Sequence, residues 1–232
     1  LAAQVGADAL LRPRGGAGVL LGGAAGVRRG AVVVLGGGTA GLAAARVAVG
    51  MGADVTVLDI DPAAMRRIEE VSGGAIRTRF STELDIARAC AGADLVIGAV
   101  LVPGARTPCL VTREMVRSMR PGSVLVDIAI DQGGCFEGSR PTTHSAPTFE
   151  VDGKVFYCVA NMPGAVPHTS TYALTNATLP YVSALADAGW HGACRARRDL
   201  ARGLSTHAGF LYAAGVGESL GLPIADVTAL VD

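Results

Sequence analysis

Three glycines and an acid raise the first chemical question. The stretch VVVLGGGTAGLAAARVAVGMGADVTVLDID, Val32 to Asp61, places Gly36, Gly38 and Gly41 after one valine run and Asp59 at the end of the next. In such a GxGxxG loop the first glycine allows a tight turn. The second lets a pyrophosphate approach the backbone, and the third lets the following helix pack close to the strand. The helix N-terminus then turns free N–H groups and a positive dipole end toward the phosphates. A chain with 32 glycines produces the spacing by chance, so the context decides. Here a strand precedes the loop, a helix follows it, and an acid stands at the required distance. A carboxylate at Asp59 would accept hydrogen bonds from ribose hydroxyls, and with Asp61 it would repel a 2′-phosphate. The two features therefore grip opposite ends of the ADP half of NAD. The plainer alternative for Asp59 is a cap on the next helix.

A second group of residues follows from the rule that ligands bind beyond the carboxyl ends of the strands in a parallel sheet. Behind four later apolar runs stand Ser81 and Thr82, then Ala99 to Pro103, then Ile128, Ala129, Ile130, Asp131, Gln132 and two glycines, and finally Ala160, Asn161, Met162 and Pro163. The turn from Ala99 through Val100, Leu101 and Val102 is hydrophobic enough to face a nicotinamide or an adenine. Asp131 follows an apolar strand and precedes Gly133 and Gly134, so a carboxylate there could move a proton or orient a water beside a nicotinamide. A turn aspartate bonding its own backbone is the competing reading, and residue type alone leaves both open. Arg140 could reach a phosphate or carboxylate; a surface salt bridge is its plainer reading.

These residues need a scaffold that brings strand ends together. Strand-like runs fall at Val32–Leu35, Val55–Leu58, Ile76–Phe80, Leu95–Gly98, Val124–Val126 and Val155–Val159, with helix-like segments at Thr39–Met51, Pro62–Val71, Thr82–Cys90 and Thr112–Met119. That alternation predicts an α/β fold, a Rossmann-type doubly wound parallel sheet with helices on both faces. Residues 1–168 are expected to form an NAD(H)-binding domain that begins with a connecting helix at Leu1–Leu11. From residue 169 to 232 the chain reads as helices, one over Ser170–Ala188 with an apolar stripe of Leu174, Ala177, Val182 and Leu185, and one over Ser205–Leu220 capped by Ser205.

Composition narrows the partners. The chain is 50% hydrophobic and only 4% aromatic, which suits a core of Ala, Val, Leu and Ile. A formal net charge of zero with no basic block leaves no footprint for nucleic acid or a membrane surface. The longest apolar run ends at Arg46, short of the ~20 residues that span a bilayer. Cys90, Cys109, Cys135, Cys158 and Cys194 form no CxxC pair and read as buried, reduced thiols of a cytoplasmic protein. His144, His168, His191 and His207 show no ligand spacing, so no metal site is expected.

The segments ADLVIGAVLVPGA, VDIAIDQGGCFEGSRPTTH and VANMPGAVPHTSTYALTNATLPY resemble the L-alanine dehydrogenase family over almost the whole chain, from AAQVGADALL to STHAGF. The related nicotinamide nucleotide transhydrogenases have an AQNGGNCE-like turn without the aspartate found at Asp131. The resemblance implies oxidative deamination of L-alanine to pyruvate and ammonium with hydride transfer to NAD, usually in a homo-hexamer with a split substrate domain. It gives Asp131 the catalytic aspartate's role and Asp59 that of the ribose-binding acid, and it places Thr39 and Ala40 in the phosphate loop. Ser81, Val100, Leu101, Ile128 to Asp131, Arg140 and Val159 to Met162 match cofactor-contact positions. Residues from Thr169 onward look like the returning part of the substrate domain. The family's substrate-binding arginine and lysine and its catalytic histidine precede the segment that matches this chain. An N-terminal truncation is therefore expected, and with it NAD binding but little or no turnover. A transhydrogenase fragment and a non-catalytic NAD-binding module are the alternatives.

Overall fold

Strands buried on both faces carry unbroken aliphatic runs, and AVVVL, LVIG and VLVD are such runs. A computed structural model describes residues 1–102 and 106–228. Seven strands form one sheet: β1 (Ala31–Leu35), β2 (Asp54–Asp59), β3 (Ile76–Phe80), β4 (Leu95–Gly98), β5 (Val124–Asp127), β6 (Thr148–Val151) and β7 (Lys154–Tyr157). Their order is β3-β2-β1-β4-β5-β7-β6, parallel throughout except for the β6·β7 pair. Because β2 and β4 flank β1, the winding reverses there and opens a crevice at the carboxyl ends.

The expected doubly wound sheet is present, and all six expected strands lie within two residues of their predicted ends. The seventh, β6, was not foreseen. It is an edge strand joined to β7 by Asp152 and Gly153, with φ of 48° and 74°, the signature of a tight hairpin.

Helices α1 (Ala2–Ala9), α2 (Thr39–Gly50), α3 (Pro62–Ser72), α4 (Glu83–Gly92) and α5 (Arg113–Ser118) cover the sheet. Leu42, Ala45 and Ala48 of α2, Ala3 and Ala9 of α1 and Ile68 of α3 pack with Val32, Val34, Val57 and Ile97. Ile86 and Cys90 of α4 and Met115 and Val116 of α5 pack with Val33, Leu35, Val96 and Leu125 on the opposite face. Small alanines let the helices lie close to the sheet, so a core with few aromatics can still pack closely. Asp61, Thr82 and Thr112 cap α3, α4 and α5, accepting hydrogen bonds from Ala63, Asp85 and Met115 N–H.

Residues Leu1–Leu101 and Thr107–Met162 form one compact unit, and the chain from Pro163 onward, with Val102 and Arg106, forms a second. The second unit holds α6 (Pro167–Ala196), α7 (Arg198–Ala201), β8 (Thr206–His207), β9 (Phe210–Leu211) and α8 (Ala214–Leu220). Gly189 (φ 66°, ψ 167°) breaks α6 near its end. The apolar stripe read on α6 is solvent-facing, with Leu174 64% and Val182 57% exposed. The single helix expected over Ser205–Leu220 is instead a short hairpin followed by α8. Ala208 and Gly209 turn the chain at φ 49° and 84°, and Tyr212 N–H returns to the Ser205 carbonyl at 2.9 Å. An alanine at positive φ gives no turn signal, which is why helix periodicity prevailed in the sequence. Pro103 and residues 229–232 of the expected helical segment lie outside the described residues.

Candidate functional site

At the end of β1 the chain turns on Gly36 (φ 96°), where a Cβ would lie 2.9 Å from the Ala99 carbonyl oxygen. Gly41 sits in the first turn of α2, and a Cβ there would fall 1.8 Å from the Gly36 carbonyl oxygen. Only glycine lets α2 begin this close to β1. Gly38 is the N-cap of α2, with open space where its Cβ would project. No side chain caps this helix, and Thr39 and Ala40 are exposed beside its first turn. The Asp59 carboxylate is fixed against the loop: Oδ2 accepts from Gly37 N–H at 2.5 Å and Oδ1 from Asp61 N–H at 2.8 Å. Each oxygen keeps a lone pair for a further donor. The cap of α3 is Asp61, whose Oδ1 accepts from Ala63 N–H at 2.8 Å, so the plainer role considered for Asp59 belongs to its neighbour. A cradle that a Cβ would fill, an uncapped helix end and a preset carboxylate fit the adenosine and pyrophosphate half of a dinucleotide.

Beyond β3, Ser81 is half-buried and its N–H donates to the Asp59 carbonyl at 2.9 Å. Beyond β4, Val100 is half-buried and Leu101 61% exposed. Beyond β5, Ile128 is half-buried, Ala129 is buried, and Ile130–Gln132 form a 3-10 turn. This turn presents Asp131 exposed. Among the described residues no hydrogen bond ties the Asp131 carboxylate to its own backbone, so the turn-aspartate reading does not hold for it. The Gln132 side-chain oxygen next to it is buried without a hydrogen-bond partner among the described residues.

The aspartate that does bond the loop backbone is Asp127, which the sequence reading passed over. It is fully buried and accepts from Ala129 N–H, Cys135 N–H and the Ser139 hydroxyl. Burial pushes its carboxyl above the usual range, and these bonds only partly counter that. The available signal was an acid closing an aliphatic strand ahead of a loop with three glycines.

Beyond β7, Val159 and Met162 are buried, Ala160 is half-buried and Asn161 is exposed at φ 55°. The Asn161 carbonyl lies 3.2 Å from His144 Nε2. Thr142 pairs with Val159 and so brings the Arg140 segment alongside this strand end. Arg140 forms no salt bridge among the described residues. Its guanidinium lies 4.2 Å over the Phe149 ring, a cation–π contact, so the plainer reading of Arg140 is corrected. The sites at the ends of β1, β2, β4, β5 and β7 thus share one edge, each strand bonded to the next. Of the cysteines, Cys109 is exposed, contrary to expectation, and the other four are buried. Among the described residues no cluster of His, Cys, Asp and Glu could hold a metal ion, and no helix is long and apolar enough to cross a membrane.

A reversing parallel sheet with a strand–GxGxxG–helix turn and an acid ending the second strand is the arrangement of dinucleotide-binding domains. The family described as Alanine dehydrogenase/PNT, C-terminal domain, matches residues 2–213, and the chain belongs to it. The chain is 61% identical to an alanine dehydrogenase of Mycolicibacterium smegmatis over 97% of its own length and 61% of that protein. It is 58% identical to one of Mycobacterium tuberculosis over 100% of its length and 62% of the relative. A solved L-alanine dehydrogenase structure superposes with a TM-score of 0.86 at 49% identity, covering 95% of this chain and 61% of that one. A transhydrogenase from Sinorhizobium meliloti is more distant, with a TM-score of 0.57 at 32% identity over 71% of this chain and 49% of the other. The chain spans about three-fifths of the length of the alanine dehydrogenases it matches.

Proposed function

We propose that this chain is the NAD(H)-binding portion of an L-alanine dehydrogenase, which oxidises L-alanine with NAD and water to pyruvate, ammonium, NADH and a proton. The observation that carries the cofactor assignment is the Asp59 carboxylate, locked between Gly37 and Asp61 N–H groups beside an uncapped helix end. A carboxylate in that place accepts from both ribose hydroxyls and repels a 2′-phosphate. NAD held in this crevice would supply the hydride acceptor for the substrate carbon. Asp131 is exposed on a short turn after β5 and is free to hold a proton or orient a water at the reacting carbon. Val100, Leu101 and Ile128 supply apolar surface for the nicotinamide ring, and Ser81, Arg140 and Val159 to Met162 complete the cofactor contacts. The cofactor domain comprises residues 1–168, and residues 169–232 belong to a split substrate domain. The enzyme assembles as a homo-oligomer, a hexamer as in the family it resembles, in the cytoplasm.

The test is titration with NADH and NADPH, followed by nicotinamide fluorescence. Saturable NADH binding with much poorer NADPH binding is expected. Asp59→Ala removes hydrogen bonds to a charged group and should weaken NADH about 10- to 100-fold. Binding of neither nucleotide, or equal binding of both, would overturn the cofactor assignment.

A further inference from the structure

Asp127 ends β5 with no exposed surface, yet no cation faces it among the described residues. Its carboxylate collects neutral donors instead. Oδ1 accepts from Ala129 N–H at 3.1 Å, while Oδ2 accepts from Cys135 N–H at 2.9 Å and from the Ser139 hydroxyl at 2.7 Å. These donors stand at the start, the middle and the end of the loop that carries Asp131. Within the loop Gln132 and Gly134 N–H both return to the Ala129 carbonyl, at 2.9 and 3.1 Å, so fixing Ala129 fixes the whole turn. Gly134 (φ 81°) crosses so close to the carboxylate that a Cβ would lie 2.7 Å from Oδ2. The loop is thus wrapped around one buried acid.

We infer that Asp127 is a positioning residue: it holds the Ile128–Ser139 loop in the shape that presents Asp131 to the nicotinamide, without touching cofactor itself. This rests on the NAD reading above. The nicotinamide end follows from topology. In a doubly wound sheet each half binds one mononucleotide, and β5 lies on the β4 side of the switch, opposite to the half that carries Asp59. An asparagine cannot replace this acid. Whichever way its amide is turned, the NH₂ group confronts a backbone N–H, of Ala129 or of Cys135, and one loop bond is lost.

The experiment compares wild type, Asp127→Asn and Ser139→Ala by calorimetric titration with NADH and with ADP-ribose, which lacks the nicotinamide. Asp127→Asn should weaken NADH about tenfold, the cost of a hydrogen bond to a charged acceptor and the donor left unpaired. ADP-ribose affinity should stay within about twofold, because its site lies on the other half of the sheet. Ser139→Ala, which removes one side-chain donor and spares both backbone bonds, should weaken NADH about threefold and leave ADP-ribose unchanged. It carries the test if Asp127→Asn does not fold. Unchanged NADH affinity, or a parallel loss of both ligands, would overturn the inference and leave the cofactor reading standing. Failure of the wild type to bind NADH would overturn both.

Discussion

Two glycines three residues apart should fail in different ways when given the same methyl group. At Gly41 the added Cβ would lie 1.8 Å from the Gly36 carbonyl oxygen, where 3.0 Å is the closest approach real Cβ atoms make. That oxygen is backbone at the end of β1 and cannot swing aside. The α2 start must therefore retreat by about 1.2 Å, the difference between those two distances. Overpacking costs about 1–3 kcal/mol, and a backbone obstacle puts Gly41→Ala at the upper end. For a chain of this size that is a fall in Tm of about 6–12 °C. Gly38 has φ −64°, which alanine adopts freely, and nothing lies within 4 Å of its would-be Cβ. Alanine is a poorer N-cap than glycine, but it restricts the unfolded chain, so the net change is within about 1 kcal/mol. Its methyl group would nonetheless stand where a pyrophosphate must approach. Both variants should lose NADH affinity by about tenfold or more, through displaced N–H groups in one and a blocked approach in the other. Only Gly41→Ala should lose stability. Thermal unfolding by circular dichroism and NADH fluorescence titration read the two effects separately. A Gly41→Ala variant as stable as wild type, or a Gly38→Ala variant that melts with it, would refute the packing argument. Normal NADH binding by Gly38→Ala would refute the phosphate seat.

Asp94 and the thiols give two further tests. Burial pushes the Asp94 carboxyl up, but the Arg28 fork, the Ala31 N–H and the Arg120 charge outweigh it and hold it below its ordinary value. A depressed carboxylate stabilises the fold above its unfolded pKa of ~3.9, and that contribution is lost as pH falls through the lower folded value. Asp94→Asn should therefore cost about 1–2 kcal/mol at neutral pH, with Arg28 and Arg120 half in solvent and partly screened. The gap in Tm between variant and wild type should close in acid, and a gap that persists unchanged below pH ~3 would refute the assignment. Burial pushes Cys90, Cys135 and Cys158 up to about 12, while Cys109 is exposed. Iodoacetamide should mark Cys109 alone in the native chain and all five cysteines after denaturation, read by mass spectrometry. Native labelling of Cys135 or Cys158 would show that the core opens more readily than its packing implies.

The sequence was most readable where burial on both faces left its mark. β1, β4 and β5 are aliphatic because helices cover each side, and the glycine loop is legible because backbone proximity tolerates no other residue. Legibility fell away at edges. β6, reading TFEV, alternates as an edge strand does, and its hairpin turn of Asp152 and Gly153 was the overlooked signal. Periodicity on α6 identified an apolar stripe correctly but said nothing of what, if anything, lies against it. At the site, Asp59 and Asp131 stood out because each interrupts apolar sequence at a strand end. Asp127 does so as well, but nothing in its type or position alone shows that it is buried and bonded along the loop. A side chain's partners are set by loop closure over eight to twelve residues, and spacing alone does not encode that closure.

Asp94 and Asp127 show how the two edges of the sheet divide their tasks. Asp94 immediately precedes β4 and Asp127 ends its neighbour β5, so both are buried acids at opposite ends of one strand pair. At the amino edge the acid is matched by two arginines, and its carboxyl is held below its ordinary value. Such a pair is permanent and belongs to stability. At the carboxyl edge the acid is matched only by neutral donors, and its carboxyl is held above its ordinary value. An arginine there would fix the loop more firmly, but its charge would also compete for the phosphates and the substrate carboxylate of any ligand in the crevice. Neutral donors fix the shape and leave that field alone. Asn161, held at positive φ beyond β7, marks the same edge. Positive φ at a non-glycine residue is not confined to this edge, since Asp152 and Ala208 adopt it in hairpin turns, so what sets the ligand side apart is the loop wrapped around Asp127.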